Sequence, residues 1–213
     1  MSCFLWEMGL SKEWGIVDVL GFDEELLHFL PQPVVALILL YPTSKVQCPG
    51  DGEEPAPEGV YFMKQTVRNA CGTIALLHAV GNNLDTVPLT PESTLQRFYS
   101  KTLALTPEER GSELENSRDI SQTHETCAQE GQTAAPEVGA DIDFHFIAFV
   151  RKSGRLYELN GNKKGPVNHG TTGEESFVRD AAAVCRDIMS QNPECLNFTA
   201  VALAKLASPP TDS

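Results

Sequence analysis

Apolar positions in this chain come in short blocks separated by polar, Pro- and Gly-rich stretches. Residues 34–41 (VVALILLY) form an unbroken apolar run between Pro33 and Pro42, the pattern of a strand buried on both faces. Residues 14–21 precede it with a shorter run, and the acidic amphipathic segment 23–29 lies between them. Residues 48–59, rich in Pro, Gly and Glu, read as an exposed loop. Thr90-Pro91-Glu92 and Thr106-Pro107-Glu108-Glu109 are helix-start signals, the first for a short helix within residues 89–105. The polar stretch 120–141 shows little periodicity and reads as a loop of about 20 residues, a length that usually marks function or disorder. DFHFIAFV and LYELNG then flank a turn in residues 152–155, predicting a β-hairpin. Residues 174–190 predict a helix with Phe177, Val178, Ala181, Val184, Cys185 and Ile188 on one face, and 196–206 a final strand. Helices and strands are interspersed, which predicts an α+β domain built on one sheet.

Composition narrows the class. At 213 residues with 41% apolar content the chain can bury a real core. A net charge of -13 argues against nucleic acid and suits a basic partner. The opening residues do not resemble a signal peptide, and no apolar run is long enough to span a bilayer. A soluble, cytoplasmic protein is expected, its six cysteines mostly free thiols rather than disulfides. No Cys–His cluster resembles a zinc site, and no cofactor is implied.

The chemistry concentrates in YFMKQTVRNACGTIALLHAVGNN, residues 61–83. Asn69 is a good N-cap, and Ile74, Leu76, Leu77 and Val80 give the following helix a buried face. Cys71 then falls in the first turn, where the helix dipole favours a thiolate. The bland reading is a buried structural cysteine, the usual fate of a free thiol. Gly72 argues against it by removing bulk beside the sulfur. Gln65 is placed to set an amide donor beside the Cys71 backbone N–H, forming an oxyanion hole.

Of five histidines, His78 lies about 10 Å along the same helix from Cys71, too far to take its proton. His28 and His124 sit in polar contexts without a partner, and His169 follows a Pro-Val-Asn turn. His145 sits inside an apolar strand, where its ring must find a hydrogen-bond partner or serve only as a satisfied core residue. Hairpin pairing sets Asn160 opposite or diagonal to it, so that the amide oxygen can accept Nδ1–H and leave Nε2 for Cys71. Asn160-Gly161 is also an ordinary turn signal.

These residues, with WGIVDVLG, ALILLYP, THETCAQEGQT, GRLYELNG, PVNHG and FTAVALAKLA, make nearly the whole chain resemble the ubiquitin carboxy-terminal hydrolases. The resemblance implies a papain-like cysteine peptidase fold: a central antiparallel sheet flanked by helices, with a knotted backbone, in one monomeric domain over residues 1–213. It implies Cys71 as nucleophile, His145 as general acid/base and Gln65 as oxyanion stabiliser, with Asn160 orienting His145. The implied substrate is the C-terminal glycine of ubiquitin, carrying small adducts or short peptides, and in some members a relative such as NEDD8. Residues 123–141 match the family's active-site crossover loop.

Two departures stand out. The family's YELDG aspartate is Asn160 here, which can orient an imidazole but cannot neutralise an imidazolium. The expectation is a weakened but active enzyme, the rival a protein that binds ubiquitin with little or no turnover. The N-terminal half is also shorter than is usual in the family, before Gly9 and around residues 48–59.

Overall fold

A computed structural model describes residues 1–43, 46, 48, 50–67, 70–130, 144–191 and 193–207, without the side chains of residues 124, 125 and 127–130. Six strands form one antiparallel sheet: β1 (Trp14–Asp18), β2 (Val34–Pro42), β3 (Phe144–Lys152), β4 (Arg155–Leu159), β5 (Val167–Thr171) and β6 (Thr199–Lys205). Their spatial order is β1-β6-β2-β3-β4-β5, which puts the apolar β2 between two partners at the centre. The helices are α1 (Ser2–Glu7), α2 (Glu24–Leu27), α3 (Cys71–Gly81), α4 (Thr94–Thr102), α5 (Pro107–Glu115), α6 (Arg118–Glu130) and α7 (Phe177–Ser190).

Alternation along the strands sends side chains to two separate cores. Ala36, Ile38, Ala148, Val150 and Leu203 pack with α3 on one face. Leu37, Leu39, Tyr41, Ile147, Phe149 and Ala202 pack with Phe177, Ala181, Cys185 and Ile188 of α7 on the other. From Thr73 to Gly81 every residue of α3 is buried, not merely the expected face. A Cβ on Gly81 would come within 2.6 Å of the Tyr61 ring and 2.9 Å of the Tyr99 ring, so this helix is enclosed on its outer side too.

Several boundaries differ from the sequence reading, each for an identifiable reason. The helix expected from Thr90-Pro91-Glu92 begins at Thr94, with Ser93 as N-cap accepting from Gln96 N–H. Residues 90–92 are instead a turn held to the N-terminal segment: Thr90 N–H donates to Gly9 O, and Leu10 bridges to Leu89. The second signal works as read. Thr106 and Glu109 form a complete capping box, with Pro107 in the first turn of α5. The supposed loop at 120–141 is helical as far as Glu130. Residues 118–130 contain no Gly or Pro, and Ile120 is buried in the α3-side core. The rest of that segment, to residue 141, lies outside the described residues. The hairpin is as expected: Lys152 pairs with Arg155, and Ser153 and Gly154 take positive φ in a two-residue turn.

Candidate active site

Cys71 is the first residue of α3 and is half-buried. The N-cap position is Ala70, and no side chain of the described residues caps it; Asn69, the expected cap, lies outside them. Among the described residues, the first-turn amides have no side-chain acceptor. Gly72 brings this turn onto the sheet, where an added Cβ would lie 3.4 Å from the Phe146 ring. Phe146 is the β3 neighbour of His145. Helix α3 thus meets the sheet at the end of β3 that carries His145.

His145 is buried, paired across β2–β3 with Tyr41. The β3–β4 register matches Ala148 with Leu159 and Phe149 with Glu158. Continued past the end of β4, it sets Asn160 diagonal to His145 and Asn162 directly opposite. The imidazole makes the expected bond to Asn160, but through the other nitrogen: His145 Nε2 lies 2.8 Å from Asn160 Oδ1. Nδ1, nearer the backbone, faces the directly opposed residue, 3.5 Å from Asn162 Nδ2. Nε2, at the far side of the ring, reaches the diagonal one. Nε2 is thus taken by Asn160, and Nδ1 is the nitrogen that faces Asn162. Burial holds His145 below its ordinary pKa, while the Asn160 bond and the nearby Glu158 carboxylate oppose that shift.

Asn160 is also the turn residue it resembled. Its carbonyl accepts Lys163 N–H at 2.9 Å, and its Oδ1 accepts Asn162 N–H at 3.0 Å, an Asx turn. Asn160 thus both turns the chain and meets the His145 ring.

Gln65 is brought to the same place by Gly161. Gln65 N–H donates to Gly161 O at 2.9 Å, and a Cβ on Gly161 would approach Gln65 Cβ to 3.0 Å and Ile74 of α3 to 3.4 Å. A side chain at position 161 would press Gln65 back by a few tenths of an ångström. Among the described residues, Gln65 Oε1 is buried and makes no hydrogen bond.

The segment leading to Gln65 is neither helix nor strand, so its backbone groups need other partners. Asn82 Oδ1 accepts Tyr61 N–H at 2.8 Å, and Asn82 Nδ2 donates to Tyr61 O at 2.8 Å. His78 Nε2 accepts Met63 N–H at 2.9 Å. Arg110 Nη1 donates to Phe62 O at 2.8 Å, and its guanidinium lies 4.4 Å above the Tyr61 ring. Lys64 N–H donates to Pro107 O at 3.0 Å. Sequence reading passed over His78, Asn82 and Arg110. It also passed over Glu158, fully buried and paired with Lys163 at 2.7 Å and His169 at 3.1 Å. The only local signal was a set of polar residues inside otherwise apolar segments. Elsewhere, the five described cysteines are free thiols, and the described residues contain no His/Cys/Asp/Glu group able to hold a metal ion.

The family model for ubiquitin carboxyl-terminal hydrolase, family 1 (peptidase C12), matches residues 1–190. The chain belongs to this family. It is 41% identical over 197 residues to the ubiquitin carboxyl-terminal hydrolase of Aplysia californica, covering 91% of this chain and 92% of that protein. To isozyme L1 of Rattus norvegicus it is 43% identical over 209 residues, covering 94% and 92%. The fold is that of the Trichinella spiralis UCH37 catalytic domain, solved bound to ubiquitin vinyl methyl ester, with TM-score 0.75 at 24% identity over 95% of this chain and 90% of that one.

Proposed function

We propose that this family member is a thiol-dependent deubiquitinase that hydrolyses the bond after the C-terminal glycine of ubiquitin, releasing small adducts or short peptides. The observation that carries this reading is the His145–Asn160 pair at 2.8 Å, which spends Nε2 and leaves Nδ1 as a lone-pair acceptor. Family membership supplies the substrate class, and the charge of -13 suits ubiquitin's basic tail.

In the proposed reaction, His145 Nδ1 takes the Cys71 proton and the sulfur attacks the glycine carbonyl carbon. The developing oxyanion is held by the Cys71 backbone N–H and the Gln65 side-chain amide. His145 returns its proton to the departing amine as the C–N bond breaks, leaving a thioester on Cys71. Water, deprotonated by His145, then attacks the thioester and releases the free carboxylate and thiol. Asn160 holds the Nε2–H tautomer throughout. The segment 123–141, helical as far as Glu130, is assigned the role of limiting adduct size, and NEDD8, with the same kind of C-terminus, is a second proposed substrate.

The test is hydrolysis of a fluorogenic ubiquitin C-terminal amide. The protein should turn it over and Cys71→Ala should lose at least about 10⁴-fold in kcat; equal activity in the variant overturns the assignment. The neutral Asn160 favours one rival, a ubiquitin-holding protein without turnover. Ubiquitin vinyl methyl ester separates the two: a covalent adduct at Cys71 supports the hydrolase, whereas binding without an adduct supports the rival. The same amide built on NEDD8 reports the second substrate, and undetectable cleavage removes it.

A further inference from the structure

A carboxylate presents the same oxygen whichever way it turns, but a carboxamide has a right end and a wrong end. The structure sorts Asn160 twice. Its Oδ1 accepts from His145 Nε2 at 2.8 Å and from the Asn162 backbone N–H at 3.0 Å. A backbone N–H only donates, so the atom it faces is the oxygen. The NH₂ then points elsewhere, and at a buried residue it needs an acceptor. The side chains of Asn160 and Cys48 both lie near enough to the Tyr41 hydroxyl to act on its ionisation through hydrogen bonding. Tyr41 is buried, directly opposite His145 on β2, with its ring edge-on to the imidazole at 6.0 Å between centroids. The NH₂ gains an acceptor if Asn160 Nδ2–H donates to Tyr41 Oη, which leaves Tyr41 O–H to donate to Cys48 Sγ. Burial keeps both Tyr41 and Cys48 protonated, Cys48 being pushed up to about 11.

We propose that Tyr41 is a positioning residue whose hydroxyl takes the Asn160 NH₂, so that Asn160 turns its oxygen to His145 and holds the tautomer with Nδ1 free for Cys71. The proposal rests on the reading of Asn160 as the partner of the catalytic histidine. It explains how an asparagine serves at this position: the fold supplies an acceptor for the end of the amide that a carboxylate would not have.

The test compares Tyr41→Phe in two backgrounds, with kcat on the fluorogenic ubiquitin amide normalised to titrated Cys71 thiol. Tyr41→Phe should lower kcat about fivefold, the worth of one neutral hydrogen bond, with KM unchanged. The ¹⁵N shifts of the His145 ring should report a gain in the Nδ1–H tautomer. Introduced into Asn160→Asp, the same change should cost less than about twofold, because a carboxylate has no wrong end. Equal losses in both backgrounds would make Tyr41 a packing residue and overturn the proposal, as would unchanged kcat and ¹⁵N shifts in the single variant. Asn160→Ala distinguishes the two levels. If it leaves kcat intact, the reading of Asn160 itself falls; if it lowers kcat while Tyr41→Phe changes nothing, only the role of Tyr41 falls.

Discussion

His145 and His78 are both buried imidazoles within the machinery of one site, yet their surroundings commit them to opposite tasks. Around His145, at the open end of β3, the ring donates through Nε2 to a side-chain oxygen and keeps a lone pair on Nδ1. Around His78, inside α3, Nε2 accepts a backbone N–H from Met63, and the ring stacks on Phe62 at 5.3 Å. Burial lowers the proton affinity of both, that of His78 to about 3. A depressed pKa therefore does not separate a base from a brace. What separates them is which nitrogen is spent, and on what. His78 spends its acceptor on holding the chain two residues before Gln65; His145 Nδ1 has only the 3.5 Å contact with Asn162 Nδ2 and is the base in the proposed reaction.

The comparison can be broken most sharply at the base. His145→Ala should lower kcat by about 10³- to 10⁴-fold with the fold intact by circular dichroism; a loss below tenfold would assign the base elsewhere. Gln65→Ala should lower kcat by about 10²- to 10³-fold without raising KM, the signature of an interaction made only in the transition state. A change in KM alone would make Gln65 a binding residue. On the brace side, Arg110→Ala removes bonds to Thr102 O, Phe62 O and Leu103 O. It should cost about 3 kcal/mol in urea unfolding, each carbonyl left buried losing its donor. A cost below about 1 kcal/mol would mean the segment before Gln65 is held without it.

A smaller effect distinguishes the two histidines by pH. The folded pKa of His78 lies below the unfolded value, so the unfolded state binds the extra proton and stability falls as pH falls through about 6.5 towards about 3. Between pH 7 and pH 5 this amounts to about 2 kcal/mol. His78→Gln keeps an acceptor for Met63 N–H but does not titrate, so its unfolding free energy should lose about that much of the acid dependence. An unchanged slope would show that His78 is protonated at pH 5 in the folded state.

Much of this was legible in the sequence where the cause is local. The continuous apolar run of β2, the Thr106–Glu109 capping box and the Ser153-Gly154 turn follow from neighbouring residues alone, and the turn sets the register that carries Asn160 to His145. What was not legible depends on contacts distant in sequence. The ring nitrogen that meets Asn160 is decided by the diagonal reach at the strand end, so pairing alone named the right partner and the wrong atom. Tyr41 meets Asn160 across more than a hundred residues, and Arg110 meets Phe62 across 48. The helix at 118–130 was hidden because its sequence is mostly polar, and among its described side chains Ile120 alone is buried.

The central claim is that a neutral amide holds the base in the working tautomer, and single-turnover cleavage of a ubiquitin C-terminal ester by the Asn160 variants tests it most directly. Asn160→Ala should slow the step about 10- to 100-fold, as loss of a residue orienting a functional histidine typically does, and Asn160→Asp should equal or exceed the parent rate. If Asn160→Ala reacts as fast as the parent protein, Asn160 does not orient His145, and the account is wrong at its centre.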